Sequence, residues 1–201
     1  MIGIMGGTFN PVHNGHLLLC EKIREEFELD KILFMPAKNP PHKLDLSIIC
    51  SEHRMMMTKI ATRSNPFFEV SDIEMKRTGA SYTVDTLSGL KELYGPETQF
   101  ALIIGADSMV QFHSWKDYRI IQSMAALLVA KRPETDSREL DQCIKDRLEE
   151  GGRIYLAKAE AMDYSSTEIR ERVARGQSIR YQVPEEVESY IYSNNLYRVG
   201  P

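Results

Sequence analysis

Short apolar runs alternate with amphipathic stretches along the whole chain, and this alternation limits the fold more than any other feature of the sequence. Met1 to Met5 is an apolar run stopped by Gly6-Gly7, the pattern of a buried strand. From Gly15 to about Glu28 the period becomes helical, with Leu17, Leu18, Cys20, Ile23 and Phe27 on one side and Glu21, Lys22, Arg24 and Glu25 elsewhere. Lys31 to Pro36 reads as a second strand, Ala37 to Leu46 as a Pro- and Lys-containing loop, and Ser51 to Arg63 as an amphipathic helix. Phe67 to Met75 alternates imperfectly and is expected as a third strand. Thr83 to Tyr94 is helical, with Val84, Leu87, Leu90 and Leu93 spaced by three. Phe100 to Ile104 and Ala125 to Ala130 are the most apolar strand candidates, and Ile154 to Ala157 is a weaker one. Two helical stretches, Ser166 to Arg175 and Pro184 to Asn194, close the chain on either side of Gly176; Pro184 followed by Glu185 and Glu186 is a favourable helix opening.

Strands alternating with helices imply right-handed crossovers and a parallel sheet covered on both faces. The expected architecture is α/β: a Rossmann-like doubly wound sheet in one domain spanning 1–201, with C-terminal helices of about 166–195 packed on it. With 201 residues, 42% of them hydrophobic, the chain can build one sizeable core. Such sheets bind ligands beyond the carboxyl ends of their strands, where the strand order reverses.

The 29 acidic residues outnumber the 25 basic ones, for a net charge of −4, so no global basic field draws nucleic acid and any anion site must be local. The three cysteines, Cys20, Cys50 and Cys143, are far apart and odd in number, which argues against a disulfide scaffold or a zinc site. No basic leader and no long apolar span is present. The expected protein is cytoplasmic and not bound to a membrane; a homo-oligomer is left open.

The first loop carries the chemistry. Gly6-Gly7 follows a buried strand at once, where glycine lets a phosphate approach the backbone closely. The helix that begins near Gly15 points its unpaired N–H groups and positive dipole end at the same place. His13 and His16, three apart around that helix start, can then face one anion. Near the other end, Ser165 and Glu168 have capping-box spacing, so Ser166, Thr167 and Arg170 form a second candidate anion nest. Taken alone, such a serine–threonine pair is usually an ordinary helix cap.

Gly6-Gly7-Thr8-Phe9-Asn10-Pro11-Val12-His13-Asn14-Gly15-His16 resembles the nucleotidylyltransferase signature, and Ser165-Ser166-Thr167-Glu168-Ile169-Arg170 resembles the second box of that superfamily. Further segments are similar to bacterial nicotinate mononucleotide adenylyltransferases: Pro40-Pro41-His42-Lys43, Ser81-Tyr82-Thr83-Val84-Asp85-Thr86-Leu87, Ile104-Gly105-Ala106-Asp107, Trp115 and Lys131-Arg132-Pro133. Position 116 departs from many relatives, carrying Lys116 where they place a tyrosine.

The resemblance implies catalytic roles for His16, His13 and Arg170. It implies ATP contacts from Gly6, Gly7, Thr8, Phe9, His13, His16, Gly105, Asp107, Ser166, Thr167 and Arg170. The pyridine mononucleotide would meet Asn39, Lys43, Tyr82, Thr83, Thr86, Trp115 and Arg132. Physical chemistry supports part of this set. Free N–H groups at the start of the Thr83 helix suit a ring carboxylate, and Trp115 can stack on an electron-poor ring or simply pack in the core. The implied partners are ATP and nicotinate mononucleotide. No dense carboxylate cage is evident, so no protein metal site is expected and Mg²⁺ would arrive with ATP. Phosphopantetheine and nicotinamide mononucleotide are rival acceptors, and a nucleotide sensor without activity is a rival of another class. The GxGxxG fingerprint of dinucleotide-binding dehydrogenases is absent after the first strand.

Overall fold

The computed structural model describes residues 1–40, 48–131, 137–162 and 164–198. Six strands are formed: β1 (Ile2–Gly7), β2 (Lys31–Pro36), β3 (Phe68–Val70), β4 (Phe100–Gly105), β5 (Ala125–Ala130) and β6 (Ile154–Leu156). All pair in parallel, in the order β3-β2-β1-β4-β5-β6. The chain therefore winds outward from β1 in one direction, returns, and winds outward in the other. Strand order reverses between β1 and β4, which is where such a sheet opens a crevice at its carboxyl edge.

The helices are α1 (Asn14–Glu26), α2 (Ser51–Thr62), α3 (Ile73–Lys76), α4 (Thr83–Tyr94), α5 (Ala106–Val110), α6 (Tyr118–Met124), α7 (Ser137–Glu149), α8 (Ser166–Ala174) and α9 (Glu185–Ser193). The two-residue period of the strands divides the core into two layers. Ile32, Phe34, Ala101, Ile103, Ala126 and Leu128 join the cluster built with α1, α2, α8 and α9. Their neighbours Leu33, Met35, Leu102, Ile104, Leu127 and Val129 join the cluster built with α4, α5, α6 and α7. Both faces are covered, which is why β5 is buried at every position. Each fully buried Leu or Ile in these layers contributes roughly 1.5–3 kcal/mol. Among the described residues no helix is long and apolar enough to cross a membrane.

Two parts of the structure differ from the sequence reading. The third strand ends at Val70 and does not run to Met75. Val70 is the last residue paired with β2; the Ser71 N–H donates to the Phe34 carbonyl at 3.0 Å, and the Ser71 hydroxyl accepts from the Ile73 N–H at 3.4 Å. That polar turn starts α3, so Ile73 packs on the α4 side of the sheet as a helical residue. The periodicity also leaves 106–124 and 137–149 unassigned, and helices occupy both. In the first, Asp117 adopts a left-handed conformation (φ 53°) and splits the stretch into elements too short to show a period.

Candidate active site

A cavity of about 430 Å³ opens at the carboxyl ends of β1 and β4, at the reversal of strand order. Gly6 and Gly7 from β1 form one wall, and Gly105 and Asp107 at the β4–α5 junction form another. A methyl group added at Gly6 would meet no atom within 4 Å, so the backbone there faces open space. At Gly7 an added carbon would lie 3.0 Å from the Phe9 ring. Phe9 itself is not a wall residue. It is 2% exposed with φ 48°, and its ring packs edge-on to His16 at 5.2 Å and beside Phe34 at 5.9 Å. Burial of the ring holds this bulky residue in a left-handed conformation it would otherwise avoid.

The two histidines cap α1 by a reciprocal arrangement. The His16 N–H donates to His13 Nδ1 at 3.3 Å, and the His13 N–H donates to His16 Nδ1 at 3.2 Å. Ser/Thr with Glu ordinarily fill these positions. An imidazole nitrogen that accepts a hydrogen bond carries no proton, so both rings are fixed as the tautomer with the proton on Nε2. The rings stack at 3.6 Å between centroids, inclined by 21°. Both residues line the cavity, beside the positive end of a helix.

Gly15, between them, lines the same wall and lies outside the predicted site set. An added methyl would sit 3.0 Å from Tyr164 Cδ2 and 3.1 Å from His13 Nδ1. Gly15→Ala should thus leave stability within about 1 kcal/mol, since alanine favours helix, yet lower turnover by roughly tenfold by tilting the His13 ring. Thermal melting and steady-state rates of the variant check this, and an unchanged rate would show that the ring is not held there.

The C-terminal box docks on the first loop. The Ser166 hydroxyl donates to the Pro11 carbonyl at 2.8 Å, and Arg170 Nη1 donates to the Asn10 carbonyl at 3.0 Å. Arg170 Nη2 also donates to Thr167 Oγ1 at 3.4 Å, and Ser165 caps α8 by accepting from the Glu168 N–H at 3.4 Å. Buried Asn10 accepts from the Tyr197 hydroxyl at 3.0 Å, and burial raises the Tyr197 pKa, keeping it a donor. Ser166 and Arg170 brace this loop, with Thr167 holding Arg170, while the cavity wall beside it is made by Ala161, Met162 and Tyr164, ahead of α8. Tyr164 and Tyr197 carry no motif that sequence reading could have used.

The proposed acceptor residues divide. Tyr82, Thr83 and Trp115 line the cavity, with Trp115 packed against Phe112 at 5.3 Å, so it is both core and wall. Lys116 also lines it, with Nζ 4.7 Å from the Tyr82 ring centre and 3.6 Å from Asp85. Thr86 lies deeper, in a smaller adjoining cavity, and its hydroxyl donates to Glu74 at 2.7 Å. Burial pushes the Glu74 carboxyl above its ordinary range. Asn39 stands outside the walls and ties its loop to the next, exchanging backbone and side-chain bonds with Ser81 and donating to Gly79. Lys43 and Arg132 lie outside the described residues. Among the described residues no group of three or more His, Cys, Asp and Glu side chains is placed to hold a metal.

Comparison with known proteins gives the family and the fold. The profile of the cytidylyltransferase-like family matches residues 4–172. A "Probable nicotinate-nucleotide adenylyltransferase" of Thermoanaerobacter sp. (strain X514) is 45% identical, over 98% of this chain and 94% of that one. The protein of the same name from Moorella thermoacetica is 44% identical, over 98% and 91%. Among solved structures, the nicotinic acid mononucleotide adenylyltransferase of Plasmodium falciparum complexed with NaAD superposes with a TM-score of 0.79 at 22% identity, covering 98% of this chain and 96% of that one. At that identity the superposition speaks for the fold.

Proposed function

The chain belongs to the cytidylyltransferase-like family, and from that premise we propose that it is a nicotinate-nucleotide adenylyltransferase. It joins ATP and nicotinate mononucleotide to give nicotinate adenine dinucleotide and pyrophosphate, a step of NAD biosynthesis. The observation that carries this reading is the stacked His13–His16 pair, each Nδ1 taken by a backbone N–H, at the helix start where the strand order reverses.

The phosphate of the mononucleotide is already anionic at neutral pH, so no enzyme nucleophile is needed. One of its oxygens bonds to the α-phosphorus of ATP while the bond from that phosphorus to the bridging oxygen breaks, and pyrophosphate leaves with the electron pair. The barrier is largely that of bringing polyanions together in line, so alignment and charge neutralisation supply the catalysis. The histidine donors meet the α-phosphate, and Arg170 holds the departing pyrophosphate. Mg²⁺ arriving with ATP would neutralise phosphate charge, and Asp107, on the cavity wall, is the carboxylate that would hold it there. The adenylyl group sits over Gly6 and Gly7, and the pyridine ring sits against Trp115 and the start of α4. The chain acts as one catalytic unit in the cytoplasm.

The decisive experiment incubates the protein with ATP, Mg²⁺ and either nicotinate or nicotinamide mononucleotide, and follows pyrophosphate and dinucleotide. Product with nicotinate mononucleotide in clear preference is the expected result; no product with either acceptor defeats the reading, and preference for the amide reassigns the acceptor. Trp115→Ala should raise the KM for the mononucleotide roughly 5- to 100-fold, the worth of one stacked ring, with kcat within about threefold. An unchanged KM in that variant would return Trp115 to simple packing on Phe112.

A further inference from the structure

Arg54 is 1% exposed and heads the large side chains withdrawn from solvent among the described residues. Its guanidinium meets four backbone carbonyls. Nη1 donates to Thr8 at 2.7 Å and to Ala37 at 2.6 Å, Nη2 donates to Lys38 at 3.0 Å, and Nε donates to Ile49 at 3.2 Å. Among the described residues no carboxylate lies within ion-pair distance of it; Glu52 and Glu74 act on it from farther away, as do Tyr197 and Cys50. A guanidinium does not give up its proton in a protein, so this is a buried cation whose hydrogen-bond partners are all neutral carbonyls.

An interior charge without a counter-charge in contact with it is costly, and carbonyl dipoles offset only part of that cost. Two of the four carbonyls belong to cavity walls: Thr8 follows the Gly6-Gly7 strand end, and Ala37 follows β2 and donates its N–H to the Gly7 carbonyl at 2.9 Å. The cation therefore lies one hydrogen bond behind the surface that faces the nucleotide. We propose that Arg54 is a positioning residue of the triphosphate site, fixing the Thr8 and Ala37 walls and supplying from behind them a positive charge that the polyphosphate of ATP balances. The inference rests on the reading that the cavity takes ATP.

Bracing and charge can be separated. Arg54→Lys keeps the charge but cannot reach four carbonyls, whereas Arg54→Met keeps neither. Adenosine occupies the nucleoside part of the site without phosphates. Equilibrium binding of adenosine and of the α,β-methylene analogue of ATP is measured for the full chain and both variants.

The methionine variant is expected to lose roughly 30- to 100-fold in affinity for the triphosphate and under threefold for adenosine, and the lysine variant roughly 3- to 10-fold for the triphosphate. Triphosphate affinity within threefold of the native value in Arg54→Met overturns the proposal. So does an equal loss for both ligands, since a purely structural arginine would weaken them alike. Should Arg54→Met fail to fold, Arg54→Lys decides: a preference for triphosphate over adenosine at least threefold below native supports the inference, and an unchanged preference overturns it. A native protein that binds both ligands equally well removes the ATP reading itself; losses confined to the variants concern Arg54 alone.

Discussion

Replacing His16 with alanine is expected to lower turnover by about 10²–10⁴-fold, the range for losing one preorganised donor at the reacting phosphate. The residue does two things at once. Its Nδ1 accepts the His13 N–H and so closes the cap of α1, which fixes Nε2 as the protonated nitrogen on a cavity-lining ring. Loss of the cap alone costs about 0.5–2 kcal/mol of stability. The two losses are told apart by measuring unfolding and single-turnover rates on the same preparation. A variant that unfolds slightly earlier but turns over at close to the native rate would remove the ring from the chemistry and leave it only the cap.

Arg170→Ala is expected to lower kcat/KM for ATP by about 10²–10³-fold while the KM for the mononucleotide stays within about threefold. The guanidinium is oriented from two sides, by the Asn10 carbonyl at 3.0 Å and by Thr167 Oγ1 at 3.4 Å. Lysine offers a point charge without that fork, so Arg170→Lys should recover less than about a tenth of the lost rate. Equal changes in the constants of both substrates would mean that α8 merely supports the loop. Full recovery by lysine would mean that charge without orientation suffices.

Much of this site is local in origin and was legible for that reason. A strand ending at Gly6-Gly7, a helix beginning near Gly15 and histidines three residues apart describe one short stretch, whose geometry follows from the strand-to-helix turn. The chemical type of His13, His16, Trp115 and Asp107 needs no tertiary knowledge, and all four line the cavity. Phe9 shows where local reading stops. It stands within the glycine-rich segment, yet its ring turns inward and supports His16 from below, because Phe34 and the core offer it a dry place. Thr86 is a similar case, its hydroxyl going to the buried carboxylate of Glu74. Tyr164 was silent because it owes its place to neighbours from other elements, whereas Gly15, within the first motif, and Lys116, at the departing position, had no role that the sequence could assign.

The period of the apolar residues determined strands, helices and the two faces of the sheet, since each depends on side chains only a few positions apart. The helix-opening residues likewise determined where anion-seeking N–H groups would be exposed. Only the tertiary structure decided that Ser166, Arg170 and Tyr197 close on Pro11 and Asn10, partners separated by 155, 160 and 187 positions. Only it, too, put the Arg54 cation behind Thr8 and Ala37. The physical reason is that such meetings are settled by how whole helices pack on the sheet, a sum over many distant contacts that no local window contains.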